Sequence, residues 1–204
     1  EVGEELILAK DLIGNVMRNH ADVIEEFPGS ALVGKSYSPL FPGAIDKGSS
    51  ESAWTIVSAD FVTTTDGTGV VHTAVMYGED DYRLGMEVGF PAQHTVGMDG
   101  SFVSGVHENL DGRYVKDCDD EIISLLDSRG LLYREHDYTH DYPHCWRTDH
   151  PLLYYAMDSW FVRMTAVRDQ LLSHNSNVEW APEWTGSKRM GEWLSNIKDW
   201  AISR

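Results

Sequence analysis

Cysteine is scarce in this chain: Cys118 and Cys145 are the only two among 204 residues. One pair cannot make a disulfide framework, and no Cys-x-x-Cys is present to bind zinc. A reduced, cytoplasmic setting is therefore expected. Long apolar runs are missing too, which excludes a membrane-spanning helix. There is no basic, apolar leader, and the chain opens Glu1-Val2-Gly3 without Met, as an excised piece of a longer protein would. Basic residues are few: 16 Lys and Arg face 33 Asp and Glu, for a net charge of -17. That balance argues against non-specific nucleic-acid binding, which needs a basic face. It leaves room for contact with one tRNA end if another domain holds the rest. Nucleophile and phosphate motifs are also absent, with no Gly-x-Ser-x-Gly and no phosphate loop. Ser104 and Ser159 have no neighbours that would activate a serine.

What is present suffices for a core. Hydrophobic residues make up 42% and aromatics 11%, enough for one compact domain with an appended piece. Leu12, Ile13, Val16 and Met17 share one face of a helix over Ala9–Asn19. Phe27-Pro28-Gly29-Ser30 is a turn, Ser38 to Gly43 is rich in proline and glycine, and Lys47 to Ser52 reads as an exposed loop. Trp54–Val57 and Phe61–Thr64 have strand composition. Asp66-Gly67 signals a tight turn, as do Asp99-Gly100 and Asp111-Gly112. A short helix is expected over Asp80–Val88, with acids at its positive end and Gly89 as its stop. The clearest helix is Asp119–Arg129, with Asp119, Asp120 and Glu121 in its first turn and Gly130 after it. Further helices are expected over Thr165–His174 and Ser187–Ile197. Four of the seven tryptophans lie from Trp180 onward, and a boundary is placed within residues 145–155.

Two clusters carry candidate chemistry. In Gly67-Thr68-Gly69-Val70-Val71-His72-Thr73, His72 shares a strand face with Val70. Gly78 then turns the chain into Glu79-Asp80-Asp81, which can bring a carboxylate back over the strand end. Glu79 and Asp80 read as ordinary helix N-terminal charge, Asp81 as a ligand-facing group. The second cluster holds His136, His140 and His144 at four-residue spacing. Pro143 forbids a helix through them, and no His-Glu-x-x-His motif supports a metal. A hydrolase using those three histidines would leave the Gly67–Tyr82 pattern unexplained.

The strings Gly67–Ala74 and Gly78-Glu79-Asp80-Asp81-Tyr82 resemble the editing-pocket motif of the isoleucyl-tRNA synthetases. Glu108-Asn109-Leu110-Asp111-Gly112, Tyr142-Pro143-His144-Cys145-Trp146-Arg147, Trp160-Phe161-Val162 and Asp199-Trp200-Ala201-Ile202-Ser203-Arg204 continue the resemblance in the family's order. Valyl-tRNA synthetase is the nearest competitor. The resemblance implies an α+β fold: a small β-barrel-like mixed sheet with peripheral helices in residues 1–150, and a C-terminal helical segment, 151–204, returning toward a Rossmann catalytic domain. It implies hydrolysis of mischarged valyl-tRNA, with Asp81 holding the α-ammonium and His72 limiting side-chain size. Gly67, Thr68, Gly69, Thr73, Tyr77 and Gly78 would shape the walls. The implied partners are the 3′ end of an aminoacylated tRNA and the rest of the synthetase chain, with no membrane and no obligate oligomer. No cofactor is implied for this segment, because ATP and magnesium belong to the parent's catalytic domain. The His-x-Gly-His and Lys-Met-Ser-Lys-Ser signatures of that domain are absent here. Two features depart from the family. The threonine-rich Trp-Thr-Thr-Thr-Pro-Trp-type peptide that forms a second wall is missing, and Val75 stands where proline is usual. A module that only binds an aminoacyl-adenosine therefore remains the alternative.

Overall fold

Acidic first turns and following glycines mark two ten-residue helices of this chain, Glu79–Val88 and Asp119–Ser128. The computed structural model describes residues 5–17, 22–46 and 52–203. It divides into two units, Glu1–Ala156 and Met157–Arg204.

In the first unit a 3-10 turn at Lys10–Leu12 runs into α1 (Ile13–Val16). This is shorter than expected, and Arg18 and Asn19 lie outside the described residues. The expected loop at 47–52 lies outside them too, apart from Ser52. Helix α2 spans Glu79–Val88, with Gly78 at its N-cap and three acids in the first turn. Its end is set by Gly89, whose φ of 78° an L side chain rarely adopts. Helix α3 spans Asp119–Ser128, and Gly130 follows it with φ 64°. Its apolar face (Ile122, Ile123, Leu125, Leu126) is half-buried, and the fully buried Cys118 precedes its first turn. Leu12, Val16, Val96, Val106, Leu110 and Cys118 form the buried apolar set of this unit.

Extended segments pair sparingly. Residues 34–37 and 54–56 exchange three backbone bonds of 2.9 Å: Gly34 N–H to Ile56 O, Ile56 N–H to Lys35 O, and Tyr37 N–H to Trp54 O. Single antiparallel bridges join Ser36 to Thr55, Val96 to Phe102, Ser101 to Tyr114 and His144 to Pro151. The barrel-like sheet expected for this unit is thus represented, among the described residues, by isolated bridges, while the α+β class holds. Phe61–Thr64 was expected as a strand and is instead turn and irregular chain. Strand composition needs a partner to pair with, and none lies beside it among the described residues.

In the second unit β1 (Phe161–Val162) pairs antiparallel with β2 (Trp200–Ala201), matching Phe161 with Ala201 and Val162 with Trp200. The Ser159 and Ser203 hydroxyls meet at 2.7 Å beyond the ladder. A 3-10 turn at Met164–Val167 leads into α4 (Arg168–Ser176). A π-turn at Thr185–Met190 leads into α5 (Gly191–Ser195). Asp199 accepts the Thr165 N–H at 2.9 Å. Leu194 and Ile197 are this unit's buried apolar residues.

Two contacts in the first unit make quantitative expectations. A Cβ added to the buried Gly85 would lie 2.7 Å from both Val75 γ-carbons. An exposed helical Gly→Ala change gains about 1 kcal/mol from propensity, whereas overpacking costs about 1–3 kcal/mol. Gly85→Ala is expected to lower the free energy of denaturant unfolding. Adding Val75→Ala should return the propensity gain, and a stabilised single variant would refute the contact. Asp111 accepts the N–H groups of Gly105 at 2.7 Å and His107 at 3.0 Å. The Gly105 bond, then the His107 bond, hold its pKa below the usual 3.8. A depressed carboxylate stabilises the fold above its unfolded pKa, and that contribution disappears as pH falls through the lower folded value. Unfolding curves recorded at stepped pH should therefore show a shallower acid limb, below about pH 4, in Asp111→Asn than in the natural chain.

Candidate functional site

A chain that must run close to its neighbours needs glycine at the points of contact. Gly69 has φ 78°, and a Cβ there would sit 2.5 Å from the Ala9 Cβ. The approach is fixed by the Ala9 N–H, which donates to the Thr68 carbonyl at 2.8 Å. Gly67 also has positive φ, 67°, and its N–H donates to Asp66 Oδ1 at 2.8 Å. Together they realise the tight turn expected at Asp66-Gly67. The Thr68 hydroxyl folds back on its own chain, donating to Val70 O at 2.9 Å.

Beyond this turn residues 70–77 line a cavity of about 790 Å³; they form no strand, and 75–77 are turn and bend, so the strand expected around His72 is not formed. Gly69, His72, Thr73 and Tyr77 stand on its wall, whereas Gly67, Thr68, Gly78 and Asp81 do not. His72 is exposed, and its ring lies 6.3 Å from that of Tyr37, which meets Trp54 edge-on at 6.2 Å. Burial raises the Tyr37 pKa. Tyr37 and Trp54 also line the cavity. Sequence reading marked neither as a site residue, because they reach the wall through the 34–37 and 54–56 pairing. The strand expected at Trp54–Val57 is reduced to a single bridge at Thr55 and the three backbone bonds with residues 34–37.

Asp81 stands at the end of this segment, in the first turn of α2. A Cβ on Gly78 would lie 2.5 Å from Asp81 Oδ2, so the carboxylate keeps this position only beside a glycine. The group is half-buried. Burial raises its pKa above the usual 3.8, the Ala74 N–H that it accepts works in the opposite direction, and neighbouring Asp80 adds to the rise. Asp80 itself is paired with Arg83 at 2.7 Å. A carboxylate has about four lone-pair positions, so one backbone donor leaves capacity for a cationic ligand. Of the predicted residues, four therefore share the cavity wall, while Asp81 and Gly78 form a separate carboxylate cradle where that wall ends.

Elsewhere, His140 stacks on Tyr138 at 5.5 Å, and a ring nitrogen of His144 lies 2.9 Å from Tyr142 O. Among the described residues no three His, Cys, Asp or Glu side chains are grouped so as to hold a metal ion. No described helix is long and apolar enough to cross a membrane.

The model of the family "tRNA synthetases class I (I, L, M and V)" matches residues 13–204. Isoleucine–tRNA ligase of Clostridium novyi is 46% identical over 202 residues, 99% of this chain and 19% of that protein. The ligase of Clostridium tetani is 45% identical over 201 residues, covering 98% of this chain and 19% of its own length. That of Bacillus thuringiensis is 42% identical over 202 residues, with 99% and 19% covered. The chain thus spans 19% of the length of these relatives. With the glycine turn, the lined cavity and the match over residues 13–204 in hand, the chain belongs to the class I tRNA synthetases of the I, L, M and V group.

Proposed function

We propose that this segment carries the post-transfer editing site of an isoleucine–tRNA ligase and hydrolyses valine esterified to the wrong tRNA. The observation that carries this reading is the shared cavity wall of Gly69, His72, Thr73 and Tyr77, with the separate Asp81 cradle next to it along the chain. The similarity to isoleucine–tRNA ligases supports it. In the parent enzyme, ATP and magnesium would serve amino-acid activation in the catalytic domain. The 3′ end of the tRNA and the rest of the synthetase would be the partners. The isolated bridges around the cavity would belong to a barrel-like editing core, followed by a return segment from about residue 151.

The physical need is general. One methylene in an apolar pocket is worth only about 1–3 kcal/mol, and isoleucine against valine in this enzyme class is the established example rather than a result of this structure. A second, hydrolytic sieve removes what binding cannot. Water adds to the ester carbonyl, the bond from that carbon to the ribose oxygen breaks, and the water's proton passes to the ribose oxygen. Valine and free tRNA are released. Holding ester and water in place supplies much of the acceleration. The Asp81 carboxylate pairs with the α-ammonium of valine in a charge-assisted bond. His72, on the wall beside Tyr37, limits the space for the side chain, so that isoleucine is refused.

Asp81→Ala in the full-length synthetase is expected to slow deacylation of valyl-tRNA about ten- to a hundredfold, the worth of one charge-assisted bond. Undiminished hydrolysis, followed by release of labelled valine, would remove Asp81 from the site. His72→Ala should admit isoleucyl-tRNA as a substrate, and continued protection of that ester would count against the size limit. The same assays with the segment alone distinguish a hydrolase from a module that only binds aminoacyl-adenosine.

Ionised Asp81 pairs with the ammonium, so activity should fall as pH drops through the raised Asp81 pKa. Stability should move the other way. With a raised folded pKa, the protonated group favours the fold, and that contribution is lost as pH rises through the folded value. Asp81→Asn is therefore expected to abolish the activity limb while leaving neutral-pH stability equal or higher, which denaturant unfolding measures.

A further inference from the structure

Tyr77 lines the cavity, yet its phenol oxygen is already engaged. It accepts the N–H groups of Thr95 at 2.7 Å and Val96 at 2.8 Å, and the Thr95 hydroxyl stands 3.3 Å away. Two consecutive backbone donors converging on one oxygen do not occur in a regular strand, where successive groups point to opposite sides. They mark the bend at Thr95, just before the bridge from Val96 to Phe102. The bend carries Gln93 and Thr95 onto the cavity wall.

The same place is braced from a second side. Tyr155 donates its hydroxyl to the Val96 carbonyl at 3.1 Å. Its ring stacks on His94 at 4.1 Å with 10° between planes, and both rings meet Tyr77 edge-on at 6.0 and 5.8 Å. The Ala156 N–H closes the frame on Met76 O at 2.8 Å. Both lone-pair directions of the phenol are thus used by the protein.

We propose that Tyr77 is a positioning residue: its phenol oxygen holds the Thr95–Val96 bend, and through it the Gln93 and Thr95 part of the wall, at the spacing that discriminates the amino-acid side chain. The inference rests on the editing reading above and adds a residue that acts through its neighbours instead of through the ester. Removing the oxygen alone leaves the ring in the wall but strands two backbone donors, a cost that local opening relieves.

The test uses the full-length synthetase with Tyr77→Phe, and Tyr155→Phe as a milder second variant in case the first fails to fold. Amide hydrogen exchange at Thr95 and Val96 should speed up about tenfold or more, while α3 amides keep their protection. In deacylation, KM for valyl-tRNA should rise about tenfold and isoleucyl-tRNA should begin to be hydrolysed, with kcat within about twofold. Tyr155→Phe should shift both readouts in the same direction by less. Unchanged exchange at Thr95 and Val96 would overturn the clamp. Faster exchange with unchanged KM and discrimination would reduce it to a structural brace and overturn the positioning role. A fall in kcat alone would overturn it in favour of a catalytic contact. A natural enzyme that releases no valine would overturn the editing reading and the positioning role with it, while exchange would still decide whether the clamp exists.

Discussion

A carboxylate oxygen occupies the space in which a side chain at Gly78 would begin. Much of the site depends on that exchange of one group for another. Because Asp81 turns back under Gly78, it reaches the Ala74 N–H and stays half-buried. Because the chain enters α2 at that glycine, the first turn brings three acids to the positive end of the helix dipole. Only one of them is directed inward. One turn further along, Gly85 meets Val75, so the helix rests against the turn that precedes it. A side chain at Gly85 would press on Val75, and one at Gly78 would turn the Asp81 carboxylate aside.

The local elements were legible in the sequence because their signals are local. Acids followed by apolar residues and a glycine stop gave α2 and α3 to within a residue of their observed ends. Asp66-Gly67 gave its turn. The elements that depend on distant partners were not legible in this way. Phe61–Thr64 has strand composition but no partner beside it among the described residues. Tyr37 and Trp54 join the wall only through pairing across about 20 residues of chain, and no motif marks that pairing. The same limit applies to Tyr77. The family resemblance put its ring on a wall, but the two amides that occupy its oxygen come from a bend 18 and 19 residues away.

The proposed reading asks an acidic chain to take the end of a polyanionic partner, and the placement of its charges is compatible with that. Most of the excess negative charge is solvated, and exposed groups more than about 10 Å apart are largely screened at ordinary ionic strength. Asp81 differs because burial keeps its field local. A desolvated carboxylate is costly while empty, which its raised pKa reports. Protonation relieves that cost, and a cation presented at that point would do so too. In the proposed reading the α-ammonium of the ester is that cation, and the phosphates of the same tRNA would be repelled.

Division of labour follows from this placement. In the proposed reading the ammonium anchor would sit on a helix end packed through glycine, and the size limit on a wall braced by tyrosine hydroxyls. The two parts draw on different interactions, so a change in one leaves the other standing. In the proposed editing reading, such a pocket would hold the common part of every aminoacyl ester at one point and measure the side chain at another. The measuring wall is held by two hydrogen bonds to a single phenol oxygen. Its spacing would then stay fixed against a side chain one methylene too long, while the strength of the anchor would be the same for both amino acids.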